Sequence, residues 1–121
     1  HFDLQTTRVR IHRQLPGQEI PLHTDDNNTA VKDKNDYMIR SITALTASKD
    51  FRYNFIDTEK KRRVQWLKQG ETIFFDPDLV AHGMSNESTT ETRYALVQIF
   101  KLYPVTAWAR DFISTEKVVT I

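Results

Sequence analysis

Residues 7–25 read TRVRIHRQLPGQEIPLHTD. Across Thr7–Leu15 the pattern alternates: Val9, Ile11 and Leu15 face one way, Arg8, Arg10, His12 and Gln14 the other, which is the period of a β-strand. Pro16-Gly17 then supplies a turn, with Pro fixing φ at the first central position and Gly taking φ > 0 at the second. Glu19–Asp25 is extended again, and Pro21 marks it as an edge or a bulge. A strand, a tight turn and a strand is an antiparallel beginning, and the rest of the chain repeats it. Tyr37–Ser48, Phe51–Asp57, Val64–Lys68 and Glu71–Asp76 are strand candidates, separated by a charged hairpin tip at Asp57–Arg63 and by Gly70. A short segment around His82 follows, then a loop at Asn86–Thr92. Arg93–Tyr103 (RYALVQIFKLY) is the strongest strand of all. About eight short strands in one domain predict an all-β fold, a jelly roll or small sandwich. After Pro104, Thr106–Ser114 is expected to form a short helix that packs Trp108 and Phe112 on the barrel.

Composition narrows the functions available. The chain has 121 residues, 39% of them hydrophobic and 11% aromatic, which fits one soluble domain over residues 1–121. Seventeen basic against sixteen acidic residues give +1, against the strong basic bias of a dedicated nucleic-acid binder. No apolar run reaches the ~20 residues a membrane span needs, and no signal peptide is legible, so a cytoplasmic location is expected. Cysteine is absent. Thiolate metal sites, Cys nucleophiles and disulfides are therefore excluded, and any metal must be held by His, Asp and Glu.

Four positions carry chemistry. His23-Thr24-Asp25 is His-x-Asp in an extended segment, which puts both side chains on one face about 7 Å apart along the chain. His82, after Gly70 and a further strand, can supply a third ligand. Two imidazoles and one carboxylate form the facial triad of non-haem Fe(II) oxygenases, with open positions for cosubstrate and dioxygen. Arg93 opens the most apolar strand, where a guanidinium is costly unless an anion meets it. A dicarboxylate would be such an anion, gripped bidentately. The outer face of that strand (Tyr94, Leu96, Gln98, Phe100) is too apolar to lie bare in water. A helix or a second copy of the chain is expected over it.

These residues, in this order, resemble the 2-oxoglutarate- and Fe(II)-dependent dioxygenases. The stretch RVRIHRQLPGQEIPLHTDD is similar to the entry of the aspartyl/asparaginyl and prolyl hydroxylase-like branch, where a Pro-Gly turn precedes the metal-binding strand. GETIFFDPDLVAHGMSN is similar to that family's second metal strand, led by Gly and followed by His-Gly-x-x-Asn. The resemblance spans roughly residues 8 to 102 and implies a double-stranded β-helix, a jelly-roll barrel. It implies that His23, Asp25 and His82 bind Fe(II) and that Arg93 holds the distal carboxylate of 2-oxoglutarate. Arg40, in YMIRSITAL, falls where some aspartyl-hydroxylase-like proteins place a cosubstrate-binding Arg, although Ile42 stands where that branch carries an accompanying His. The implied reaction uses dioxygen to hydroxylate a C–H bond of an amino-acid side chain, free or in a peptide, and releases succinate and CO₂. Typical members also carry N-terminal helices, for which this length leaves little room. With a first residue other than Met, a minimal form or part of a larger protein is expected.

Blander readings compete. His-x-Asp arises by chance on any polar strand, and only the addition of His82, Arg93 and the β context gives it force. A metal-binding cupin without oxygenase activity is the alternative, since Gly70 and His82-x-x-x-Asn86 resemble the second cupin motif. Cupins, however, usually supply His-x-His and a Glu. His12, among arginines, reads as a surface or funnel residue, Lys60–Arg63 as a solvated tip, and Phe51, Tyr53, Phe55, Phe74 and Phe75 as core or pocket wall. Asp26–Asp36, beside the metal strand, reads as a substrate-choosing lid.

Overall fold

The computed structural model describes residues 3–25, 37–103 and 117–119. All regular structure in them is strand, as the alternation predicts: β1 Asp3–Gln14, β2 Glu19–His23, β3 Tyr37–Ala44, β4 Phe51–Ile56, β5 Arg62–Gln65, β6 Thr72–Phe75, β7 Ala81–Asn86, β8 Arg93–Tyr103 and β9 Lys117–Val119. The expected helix at Thr106–Ser114 and the expected lid at Asp26–Asp36 lie outside the described residues. Among those residues no helix is long and apolar enough to cross a membrane.

The strands form two antiparallel sheets, ordered β1-β8-β3-β6-β9 and β2-β7-β4-β5. Their facing sides share one core: Ile42, Ala44, Ile73, Phe75, Ala95 and Val97 from the first sheet meet Tyr53, Phe55 and Met84 from the second, with Val80 and Leu67 from connecting segments. Period-two patterning sets these faces. In β4, Phe51, Tyr53 and Phe55 are buried and alternate with half-buried neighbours. In β8, Arg93, Ala95, Val97 and Ile99 are buried.

The Pro16-Gly17 turn forms as read. Gln18 N–H donates to Leu15 O at 3.0 Å, and Gly17 sits at φ +80°, where a side chain would be strained. Several boundaries differ from the sequence reading: β2 stops at His23 and β3 at Ala44, short of the expected Asp25 and Ser48, and β5 covers Arg62–Gln65 rather than Val64–Lys68. β1 begins earlier, at Asp3, because the distal half of β8 offers it a partner; the register shifts once, between Thr6 and Arg8. The tip after β4 is tighter than Asp57–Arg63, because the Asp57 carboxylate accepts the N–H groups of Glu59 and Lys61 at 2.9 and 3.0 Å. Arg62 and Arg63 are thereby released into β5. On the outer face of the larger sheet, Val9 and Ile11 are 55% and 64% exposed, beside Tyr94 at 37%.

Candidate metal centre

β2 and β7 lie side by side, and His23 is the register partner of His82. A bulge makes this meeting happen. Ile20 pairs with Met84, yet His23 pairs with His82, so β2 holds one more residue than β7 over this span. Ile20 packs against the core, and strict alternation would turn Leu22 inward and His23 outward. The extra residue reverses that parity. Pro21, which has no N–H to give a ladder, sits within the bulge. Gly83 accommodates it on β7: a Cβ there would lie 2.5 Å from Ile20 O and 3.0 Å from Leu22 N.

His23 is the last residue of β2, so Asp25 lies beyond the strand rather than within it. Its N–H donates to Pro77 O at 2.7 Å, which turns the chain and brings the carboxylate back toward both rings. Asp25 Oδ1 then stands 3.4 Å from His23 Nε2 and 3.4 Å from His82 Nε2. All three donor atoms lie within 4.8 Å of one another. This is the trio expected from the sequence.

Both imidazoles are held in one tautomer. His23 Nδ1–H donates to Pro21 O at 2.8 Å, and His82 Nδ1–H donates to Val80 O at 2.9 Å. A carbonyl can only accept, so in the neutral ring the proton sits on Nδ1 and Nε2 carries the lone pair that a metal needs. Burial lowers the His82 pKa to about 4, with Arg40 and His23 adding to the effect and the Val80 carbonyl and Asp25 opposing it. His82 is therefore neutral at physiological pH, the ligating form. Three N/O donors without sulfur suit a divalent metal such as Fe(II) or Mn(II).

Arg40 belongs to this cluster. Its Nη2 donates to Asp25 Oδ2 at 2.6 Å and its Nη1 approaches His82 Nε2 at 3.4 Å. One carboxylate oxygen faces the histidines while the other is fixed by the guanidinium. The Arg40 pKa is lowered, by burial first, with Asp25 opposing the shift.

Arg93 lies elsewhere. It points inward, as its parity predicts, and is 0% exposed. Arg40 pairs with Ile99, so about 20 Å of β8 separates the Arg40 and Arg93 positions. Arg93 Nη1 donates to Gln14 Oε1 at 3.0 Å and to Ser85 O at 3.2 Å, and Nη2 to Arg52 O at 2.9 Å. The guanidinium lies over the Tyr53 ring at 4.0 Å and near the Phe51 ring at 5.4 Å. Its Nε and the Tyr53 hydroxyl are buried without a hydrogen-bond partner of good geometry. Burial pushes the Tyr53 pKa up, against the neighbouring Arg93 charge.

Two adjoining cavities lie near these residues, and Arg93 lines neither. One, of about 170 Å³, opens on the triad. The other, of about 230 Å³, is lined by Gln14, the partner of Arg93. They share His12, Ile20 and Met84.

Three contributors were not assigned from sequence. Gly83 and Asn86 stand in the quoted His-Gly-x-x-Asn motif, but their work emerges only in the fold. Asn86 Nδ2 donates to Gln14 O at 3.1 Å and Glu91 O at 2.8 Å, tying β7 to β1 and the next loop. Gln14 was legible only as sharing a face with Arg8, Arg10 and His12; it is buried, and it bridges the sheets by donating to Met84 O at 2.9 Å. No family model, curated protein or solved structure matches the chain.

Proposed function

We propose that this protein is an Fe(II)- and 2-oxoglutarate-dependent dioxygenase that hydroxylates an unactivated C–H bond, and that its two sheets form a double-stranded β-helix. One observation carries the reading. Two imidazoles, each with Nδ1–H held by a carbonyl and Nε2 turned toward the same point, converge with a single carboxylate oxygen, which is a facial set of three N/O donors. The strand orders β1-β8-β3-β6 and β2-β7-β4-β5 support the fold, since eight strands split in this interleaved way are the pattern of a jelly roll.

Bound at this site, iron and a 2-oxo acid would supply the oxidative decarboxylation to succinate and CO₂ that puts one oxygen atom of dioxygen into substrate. The chain's share is placement. His23, Asp25 and His82 hold the metal from one side. Arg40 fixes the free Asp25 oxygen and so orients the carboxylate. Ile42, Val97 and Met84 line the cavity beside the triad and limit water there. Arg93, a fully buried guanidinium that meets no carboxylate among the described residues and whose Nε and neighbouring Tyr53 hydroxyl have no hydrogen bond of good geometry, supports the anchor role for the distal carboxylate of the cosubstrate.

Succinate release from 2-oxoglutarate, without added substrate, tests this reading. Iron-loaded wild type should release it slowly. Tyr53→Phe removes the hydroxyl beside the Arg93 guanidinium and keeps the ring, so it should still fold, as circular dichroism would show, yet raise the 2-oxoglutarate KM about tenfold. An unchanged KM in that variant would remove the anchor. Succinate at background level in folded, iron-loaded wild type would favour a metal-binding module without oxygenase activity.

A further inference from the structure

The side chains around the triad cavity are unevenly charged. β1 and β2 are the edges of their two sheets, and both reach this cavity, Arg10 and His12 from β1 and His23 from β2. In the register of the larger sheet, Arg8 and Arg40 flank Ile99 from either side, and Arg10 faces Val97 one inward position further on. Three guanidiniums thus share the face that carries the cavity. Arg8 and Arg10 are exposed, and neither makes an ion pair with a carboxylate among the described residues. The carboxylate that Arg40 meets, Asp25, is the one the metal would claim.

The groups feel one another. His12 is held toward its neutral form by burial, then by Arg10 and Arg40. The charge on Arg40 is disfavoured by burial and by Arg10 and Arg8, with Asp25 and Asp78 the opposing acids. Such a rim repels cations and is completed by an anion, which planar guanidiniums can grip bidentately. Between rim and triad the wall is apolar, formed by Val97 and Ile42.

We propose that the prime substrate carries a carboxylate or a phosphate monoester, which Arg8 and Arg10 bind at the cavity mouth while its aliphatic part lies over Val97 and Ile42 toward the triad. This rests on the oxygenase reading and adds the substrate class to it. A cosubstrate carboxylate offers the same chemistry, and the two sources are separable.

The probes are N-acetyl-aspartate amide and N-acetyl-asparagine amide, which differ in side-chain charge, with the N-acetyl amides of O-phosphoserine and serine as the phosphate pair. Each is titrated calorimetrically into protein loaded anaerobically with Fe(II) and 2-oxoglutarate. The anionic member of at least one pair should bind about tenfold more tightly than its neutral partner. In Arg8→Gln/Arg10→Gln that preference should vanish, while the 2-oxoglutarate KM of substrate-free turnover stays within about twofold of wild type. Equal binding within both pairs overturns the inference and leaves the oxygenase reading standing. A 2-oxoglutarate KM raised about tenfold in the double variant also overturns it, by giving these arginines to the cosubstrate. Titration of the metal-free protein with inorganic phosphate, followed at the Arg8 and Arg10 Nε–H resonances, does not depend on iron. Saturable shifts at both support the anion-binding mouth even if the oxygenase reading fails, and unshifted resonances overturn it.

Discussion

Asp25 divides its oxygens between two tasks, Oδ1 standing between the histidines and Oδ2 accepting from Arg40. Both side chains of the ion pair are largely covered, 15% and 12% exposed, so the pair cannot be halved without cost. Asp25→Ala strands a desolvated guanidinium and should lower unfolding stability by about 2–4 kcal/mol, besides removing the one anionic ligand. Arg40→Leu combined with Asp25→Ala should recover most of that stability and none of the metal binding. Urea denaturation of the three variants checks it; a double variant no more stable than Asp25→Ala would show that the loss arises elsewhere. The three candidate ligands were legible in the sequence because residue type and order suffice to nominate donors, and the fold brings them together. Arg40's place on Asp25 was not, since it depends on where the chain turns after β2. For Arg93, parity gave the inward direction but not the partners, which come from three other strands.

At the scale of elements, the site depends on a bulge seated against a glycine. Gly83→Ala would put a methyl carbon within 2.5 Å of Ile20 O, and backbone cannot yield as a flexible side chain can. β2 must move off β7, separating His23 from His82. The expected result is a metal affinity at least about tenfold weaker, with amide exchange accelerated in β2 and unchanged in β4. Metal binding as in wild type would refute this account of Gly83. The β4–β5 hairpin makes an independent claim. Lys61 N–H, then Glu59 N–H and the Arg63 guanidinium, hold the Asp57 carboxyl below the usual carboxylate range, against burial. A depressed folded pKa means the contribution is present above the unfolded value of about 3.9 and fades as pH falls through the folded one. Asp57→Asn should therefore lower Tm at neutral pH, and the gap from wild type should close in acid; a gap constant with pH would contradict it. The Pro21 stretch was legible as an edge or bulge. Which residue the bulge turns inward was not, because parity after an inserted residue is settled by the partner strand.

For the whole molecule, a few buried polar groups join the two sheets that the apolar core brings together. Gln14 on β1 reaches Met84 O, Asn86 on β7 reaches Gln14 O, and Arg93 on β8 reaches Ser85 O and Arg52 O. The all-β class was legible from alternation alone. The pairing of strands into two interleaved sheets was not, since short strands of similar composition carry no address and only the assembled core selects among registers. That pairing sets β2 beside β7 and so brings the candidate ligands together, which makes stoichiometric metal binding the most direct measure of the account. Anaerobic calorimetric titration of metal-free protein with Fe(II) should show one ion per chain for wild type and for His12→Ala, whose ring lines the cavity without joining the trio. His82→Ala should bind about 100-fold more weakly or not at all. Failure of the wild type to bind one ion, or wild-type affinity in His82→Ala, would contradict the assignment of His23, Asp25 and His82 as the metal centre.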